Sequence, residues 1–176
     1  MTSADHERYP IGRFERCREP LDAATRAALI DEIAAAPAAI RALVTGLGDA
    51  RLDTRYRDGG WTIRQVVHHV PDSHMNAYIR MKRAVTEETP AVPGYDEARW
   101  AELDDGRSAP IAMSLDLLDG LHRRWVAFLR ALPEGGYLRA YAHSELGRVP
   151  LYEAVASYAW HGRHHEAHIR NALRRG

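Results

Sequence analysis

Apolar residues recur at three- and four-residue intervals in the first long segment of the chain, between Leu21 and about Leu47. The apolar positions of this segment are Leu29, Ile33, Ala36, Ile40, Leu43, Val44 and Leu47. Residues with this spacing lie on one face of an α-helix, so the segment predicts a long amphipathic helix. Pro37 lies inside it and predicts a kink or an interruption, because proline lacks the N–H that a helix interior uses.

The second predicted helix has a distinct beginning. Thr62 and Gln65 fit a capping box, in which each side chain bonds to the other residue's backbone N–H. Trp61 and Val66 fit the hydrophobic staple that often accompanies such a box. The pattern predicts a helix that begins at this point and runs to about Thr86.

Two more helices are predicted, from about Ser114 to Leu132 and from about Leu151 to Leu173. The segment between helices two and three, residues 87–110, is rich in proline and acidic residues and predicts a long loop, with a helical turn around 96–103. Residues 137–149 predict a short hairpin or an irregular excursion. Four substantial helices in a chain of 176 residues predict an all-α fold, an antiparallel four-helix bundle with a long loop between helices 2 and 3.

The length and composition exclude several classes of protein. A chain of 176 residues predicts a single domain over residues 1–176, with an N-terminal arm at about residues 1–20. The 24 basic residues balance the 24 acidic ones, so we expect neither nucleic acid nor an anionic membrane as a partner. No apolar run approaches the ~20 residues of a membrane span, and we expect a cytoplasmic protein. Cys17 is the single cysteine, which excludes a disulfide framework or a cysteine-based zinc site within one chain.

Histidine is the unusual residue of this chain. Seven of the ten histidines fall in two short windows, residues 68–74 and 161–168. Two histidines four apart on a helix point the same way and can share one metal ion. The last helix offers two such pairs, His161 with His165 and His164 with His168. Helical phase favours the first pair, because His165 lies beside the apolar face, His161 lies at its edge, and the other two drift toward the rim.

A third metal ligand must come from another helix, because two ligands rarely hold a catalytic metal. In the second helix His69 borders the apolar face, His74 lies within it and His68 points away. Helical phase therefore leaves His69 and His74 both open as the third ligand. Asp72 is either an acceptor for an imidazole N–H or an exposed helical residue. The scattered histidines are expected to be ordinary surface or loop residues, namely His6, His122 and His143.

Several stretches of the chain resemble a known family, the YfiT-like branch of the DinB superfamily. These are RYPIGRFE (8–15), YRDGGWTIRQVVHHVPDSHMNAYIRMKRAVTEETP (56–90), GYDEARWAEL (94–103) and YAWHGRHHEAHI (158–169). The family is named for metal-dependent hydrolysis and includes bacillithiol S-transferases. The resemblance implies a four-helix bundle, a zinc or nickel ion and a homodimer.

The resemblance also implies a ligand set. The family's metal is held by the second histidine of an HH pair and by an H-x-x-x-H spacing on the last helix, which correspond here to His69, His161 and His165. The neighbouring histidines then become candidates to line or orient the site, namely His68, His164 and His168. Pro71 is a departure, since relatives tend to carry a small residue there, and it places the geometry around His69 in question.

Three neutral imidazoles leave a divalent ion with an open position, where a water or a thiol would become acidic. We therefore expect an enzyme with about one divalent ion per chain. It would act as a metal-dependent hydrolase or as an S-transferase of a low-molecular-weight thiol such as bacillithiol, on a small-molecule substrate. The alternative is a non-catalytic metal-binding module of a stress response, which a fourth protein ligand such as His74 or Asp72 would favour. An isomerase is the weakest hypothesis, because the related isomerases resemble H…E-x-x-x-H and this chain has His161 instead.

Overall fold

The structure is a computed structural model that describes residues 3–175 of the chain. Residues 1, 2 and 176, which belong to the predicted domain 1–176, lie outside the described residues. The division into one domain with an N-terminal arm stays a prediction.

The described residues form eight α-helices and three short strands. The helices are α1 (Ser3–Arg8), α2 (Ala23–Val44), α3 (Asp49–Leu52), α4 (Ile63–Thr86), α5 (Glu97–Trp100), α6 (Asp104–Arg107), α7 (Ile111–Ala131) and α8 (Leu151–Arg175). The strands are β1 (Ala91–Val92), β2 (Ala140–His143) and β3 (Gly147–Pro150), and a short 3₁₀ helix covers Glu134–Leu138. The four predicted long helices correspond to α2, α4, α7 and α8.

These long helices form the predicted four-helix bundle. Helix α2 packs on α7 and α8, and α4 packs on the same two helices, so the consecutive helices α2 and α4 lie at diagonal corners. One apolar cluster joins the first half of α2 and of α8 to the second half of α4 and of α7, and the other cluster joins the opposite halves. Helices α2 and α8 therefore run in one direction, and α4 and α7 run in the other. The predicted antiparallel order holds for α2 with α4 and for α7 with α8, whereas the consecutive helices α4 and α7 are parallel.

The direction of the helices explains the long connection between α4 and α7. Because these neighbours are parallel, the chain must return along the bundle, and a helix of about 21 residues is ~32 Å long. Residues 87–110 make this return and contain β1, α5 and α6. Strand β1 pairs parallel to β2, which pairs antiparallel to β3, so the predicted hairpin at 137–149 is present and a small sheet is added to the bundle.

Helix α4 begins at the predicted capping box. The Thr62 hydroxyl accepts from the backbone N–H of Gln65 at 3.1 Å, and the Gln65 side chain accepts from the backbone N–H of Thr62 at 3.0 Å. The Gln65 amide also donates to the carbonyl of Ala101 at 2.8 Å. The same residue thus caps α4 and fastens the return segment to it.

The two prolines inside helices do not end them. Helix α2 is continuous through Pro37, and α4 is continuous through Pro71, so the interruption that Pro37 predicts does not occur. Both prolines are buried in the packed bundle. Each removes one helical hydrogen bond, and tertiary packing of a long amphipathic helix can outweigh that local cost.

The segment after α1 lies along α8. The ring of Tyr9 lies 6.1 Å from that of His164, and Arg16 forms an ion pair with the buried Glu153 at 2.7 Å. Arg8 and Tyr9 therefore cover the face of α8 that carries the histidine cluster. None of the helices in residues 3–175 combines the length and the apolar composition that a membrane crossing requires.

Candidate metal centre

Three imidazoles from two antiparallel helices converge near the middle of the bundle. His69 comes from the first half of α4, and His161 and His165 lie one turn apart on α8. One ring nitrogen from each of the three lies within 4.8 Å of the others. The Nε2 atoms of His161 and His165 are 3.2 Å apart. The structure thus brings together the three histidines that the family resemblance implies.

The bundle interior keeps these imidazoles neutral. Burial, and next the charge that His164 would carry, lower the pKa of His69 to about 4. Burial, and next the neighbouring imidazoles, hold the pKa values of His161 and His165 well below the usual range. A neutral imidazole has a lone pair available for a metal, so no proton has to leave these rings at pH 7.

His74, the other open candidate for the third ligand, lies behind this cluster. Its side chain is fully buried, as its position within the apolar face predicts. Its Nε2 contacts His161 Nδ1 at 2.9 Å, and its Nδ1 contacts His122 Nε2 at 2.7 Å. The Nδ1 of His122 in turn donates to the carbonyl of Ile33 at 2.6 Å. Both ring nitrogens of His74 are therefore engaged by other histidines.

The expectation that His122 is an ordinary surface or loop residue is wrong. It is 2 % exposed and lies inside α7, between α2 and α4. The signal was present in the sequence, because Leu118, His122, Trp125 and Leu129 follow one another at three- and four-residue intervals. His122 occupies an apolar position of that stripe.

His68 does not point toward solvent as its helical phase predicts, and it is buried. Its Nδ1 contacts the Ser114 hydroxyl at 2.7 Å, and its Nε2 contacts the Ala109 carbonyl at 3.1 Å. The return segment and the start of α7 cover this face of α4, which the sequence of α4 alone does not reveal. His68 therefore anchors that segment and lies outside the ligand cluster.

His164 and His168 flank the cluster on α8. The ring of His164 stacks on Trp160 with centroids 4.4 Å apart, and His168 stacks on Tyr56 at 3.9 Å. The Nε2 of His168 contacts the carbonyl of Arg8 at 3.1 Å. Both histidines are buried rather than at an exposed rim, because the N-terminal segment covers them.

The remaining candidates lie away from the three converging imidazoles. His6 is exposed on α1, and the half-buried His143 lies on β2. Asp72 is half-buried, and burial, followed by the charge of Asp105, raises its pKa to about 6. Burial, and next the charge of Glu153, raise the pKa of the Cys17 thiol, which disfavours a thiolate nucleophile at that position.

A cavity of about 520 Å³ opens onto the cluster. Its walls include all three converging histidines and the two flanking ones, together with Arg8, Tyr9, Tyr56, Arg57, Trp61, Tyr95, Glu97 and Trp160. The Trp61 ring lies 4.6 Å from the ring of His69 and shields it. The cavity has room for a small molecule beside the imidazoles.

Comparison with known proteins agrees with this arrangement. A model of the DinB superfamily matches residues 32–169. The chain belongs to the DinB superfamily. The matched range runs from α2 into α8 and contains every histidine of the cluster.

Two bacterial proteins are similar to this chain over nearly their whole length. A protein of Oceanobacillus iheyensis named "Putative metal-dependent hydrolase" is 45% identical over 170 residues, which are 97% of this chain and 98% of that protein. YfiT of Bacillus subtilis, which has the same designation, is 45% identical over 176 residues, covering 99% of this chain and 98% of YfiT.

Solved structures give the same result for the fold. YfiT from Bacillus subtilis superposes with a TM-score of 0.93 at 44% identity, covering 97% of each chain, and is described as a probable metal-dependent hydrolase with an unusual four-helix bundle topology. The four-helix bundle protein TT2238 superposes with a TM-score of 0.56 at 20% identity, covering 86% of this chain and 99% of its own, which supports the bundle alone.

Proposed function

We propose that this chain is a divalent-metal-dependent enzyme in which His69, His161 and His165 hold the ion. The observation that carries the proposal is the convergence of three neutral imidazoles from α4 and α8 at the wall of a cavity. The relatives named for metal-dependent hydrolysis support the same class of chemistry.

The spacing of the two donor atoms on α8 fits one small ion, and one ring nitrogen of His69 lies within 4.8 Å of them. Zinc binds histidine nitrogens at about 2.0–2.1 Å in tetrahedral sites, which places two such nitrogens about 3.3 Å apart. The Nε2 atoms of His161 and His165 are 3.2 Å apart. Imidazole donors suit zinc and nickel, so we propose one of these two metals.

A divalent ion with three protein ligands has an open position, at which it acts as a Lewis acid and lowers the pKa of a water or a thiol. The residues of the chain supply the surroundings for that chemistry. Trp61 and Trp160 provide apolar walls that limit the access of water, and the open side of the three imidazoles faces the cavity.

Two residues of the cavity wall carry unused hydrogen-bond donors. Within the described residues, Trp160 Nε1 and Arg57 Nε are buried and have no hydrogen-bond partner, and both residues line the cavity. These two groups can only donate, and an unsatisfied buried polar group costs about 1–3 kcal/mol. We infer that the substrate is a small molecule that presents acceptor atoms to them.

The geometry favours an enzyme over a metal-binding module without turnover. A closed shell would need a fourth protein ligand, and both ring nitrogens of His74 are engaged by His122 and His161. Among the described residues, the converging group contains three histidines and no carboxylate. Asp72 is not a member of it.

Hydrolysis and thiol transfer require the same open position, and they differ in what occupies it. As a more specific alternative we propose an S-transferase of a low-molecular-weight thiol of the bacillithiol type, because the YfiT-like family that the sequence resembles includes such enzymes. A thiol with carboxylate or hydroxyl groups would also provide acceptors for Trp160 and Arg57.

The metal assignment is tested by measuring metal content. We expect protein purified without added metal to contain about one zinc or nickel ion per chain by plasma mass spectrometry. The double variant His161→Ala plus His165→Ala should lose it, because a single imidazole does not retain the ion. The control is His143→Ala, which lies on β2 and should keep the metal. Full occupancy in the double variant would contradict the assignment.

The reaction is tested by a paired screen. The metal-loaded protein is incubated either with chromogenic esters and amides or with bacillithiol, cysteine and an electrophile whose adduct absorbs light. Turnover that requires both the thiol and the intact histidine pair supports transfer, and turnover of esters without thiol supports hydrolysis. Activity that survives in the double variant counts against both.

A further inference from the structure

We propose that a chain of three hydrogen-bonded imidazoles, from His122 through His74 to His161, presets the Nε2 atom of His161 as the metal-facing nitrogen. The inference rests on the proposed metal site. It assigns His74 and His122 as positioning residues, which act on the site through His161 without contacting the ion.

The chain of imidazoles ends at the backbone carbonyl of Ile33, which can only accept a hydrogen bond. The carbonyl of Ile33 would normally accept from the N–H four residues later, but that residue is Pro37, which has no N–H. The Nδ1 of His122 lies 2.6 Å from this carbonyl oxygen. A carbonyl cannot donate, so the proton must be on Nδ1 of His122.

The direction of the two remaining hydrogen bonds follows from the proton on Nδ1 of His122. With its proton on Nδ1, neutral His122 presents a lone pair at Nε2, so the contact of 2.7 Å requires a proton on Nδ1 of His74. His74 then presents a lone pair at Nε2, and the contact of 2.9 Å requires a proton on Nδ1 of His161. The three N–H groups are all used, and the lone pair that remains is Nε2 of His161.

The remaining lone pair points to the proposed metal site. Nε2 of His161 lies 3.2 Å from Nε2 of His165, inside the cluster with His69. His74 is fully buried and His122 is 2 % exposed, so bulk water does not compete for the contacts that connect them. A ligating histidine is commonly oriented by a hydrogen bond at its other nitrogen, and loss of that partner typically costs 10–100-fold in metal affinity.

The second ligand of α8 provides a contrast inside the same site. Nδ1 of His165 faces Nδ1 of His168 at 3.5 Å, which is too long for a strong hydrogen bond. His168 is in turn close to the carbonyl of Arg8, at 3.1 Å. We therefore expect the orientation of His165 to depend less on His168 than the orientation of His161 depends on His74.

The first test uses the unaltered protein without metal. Two-bond ¹H–¹⁵N correlation spectra distinguish imidazoles protonated at Nδ1 from those protonated at Nε2. At pH 7.5 we expect His122, His74 and His161 all to be protonated at Nδ1 before any metal is added. A proton on Nε2 of His161 or of His74 overturns the proposal, and no variant has to fold for this result.

The second test measures zinc affinity by competition with a chromogenic chelator. His74→Leu removes the acceptor and should weaken binding 10–100-fold. His74→Gln places an amide oxygen near the position of Nε2 and should recover most of that loss. His143→Leu on β2 is the matched control and should bind within about twofold of the parent protein, in line with the small effects of distant substitutions. Zinc affinity of His74→Leu within about twofold of the parent protein would overturn the proposal.

The two tests separate this inference from the proposed function. If the parent protein and the His161→Ala plus His165→Ala variant bind zinc equally, the metal assignment fails, and the spectra of the metal-free protein still decide whether the imidazole chain exists. If the parent protein binds zinc through this pair and His74→Leu binds it equally well, the metal site stands and the positioning role fails.

Discussion

Burial of several histidines predicts that the metal-free protein loses stability in mild acid. Burial is the main cause that lowers the pKa of His69 and of His164 to about 4 and that of His168 to about 3. In the unfolded chain these groups have the ordinary pKa near 6.5, so below that pH the unfolded state binds more protons. The contribution of these three histidines to the free energy of unfolding is complete above about pH 6.5. It falls by up to ~1.4 kcal/mol per pH unit for each histidine as the pH approaches 4. Burial raises the pKa of Asp72 to about 6 and also raises the pKa of Glu166, so these two carboxyl groups oppose the trend, while burial lowers the pKa of His161 and His165 as well and adds to it.

Urea unfolding of the metal-free protein between pH 8 and pH 4.5 measures this dependence. We expect the free energy of unfolding to be nearly constant above pH 7 and to decrease steadily below pH 6.5. The variant with glutamine at His69, His164 and His168 should show a shallower decrease over the same range. A parent protein whose stability does not change between pH 7 and pH 5 would contradict the buried, neutral state of these rings.

At the scale of single residues, helical phase predicted part of the candidate site. It favoured His161 and His165 on one helix, because direction around a helix axis follows from sequence spacing alone. It could not choose between His69 and His74, because that choice depends on which imidazoles of α7 and α8 each ring meets. The contacts of His74 with His122 and His161 are tertiary, and only the packed bundle reveals them.

At the scale of secondary-structure elements, the capping box of α4 predicts a measurable stability contribution. Replacing an N-cap threonine by alanine typically costs about 1 kcal/mol, because a backbone N–H at the first turn loses its acceptor. We expect Thr62→Ala to lower the free energy of unfolding by this amount in urea titrations. Thr86→Ala at the other end of α4 is the control, since Thr86 is exposed and makes no N-cap bond. If the two substitutions lowered the free energy of unfolding equally, the capping box would make no specific contribution to stability.

The elements that sequence reasoning found are those with enough length to show a period. The beginning and end of α4 were predicted closely, while α3 and α6, of four residues each, have too few positions for any helical period to be visible. Of the two effects predicted for Pro37, a kink or an interruption, the interruption does not occur. The helix continues through this proline, and the carbonyl of Ile33 that it frees accepts from His122 instead.

At the scale of the whole molecule, the four-helix bundle could be predicted and its arrangement could not. Amphipathic faces show which side of each helix is buried, but they do not show which helix covers it. Whether α2 meets α4 or α7 depends on the return path through residues 87–110. The implied homodimer depends on surfaces of a second copy and stays a prediction.

The metal site predicts a stabilisation of the whole bundle by the ion. His69 and the pair His161 and His165 lie on helices far apart in sequence, so a shared ion binds the folded state and links α4 to α8. A ligand at about 100 times its dissociation constant stabilises the native state by ~2.7 kcal/mol. For a chain of this size that corresponds to an increase in Tm of about 5–10 °C. Differential scanning calorimetry with chelator and with zinc measures the shift, and the His161→Ala plus His165→Ala variant should show almost none. An equal shift in parent and variant would place the bound zinc elsewhere on the protein, whereas a shift confined to the parent locates the stabilising ion at His161 and His165 on α8.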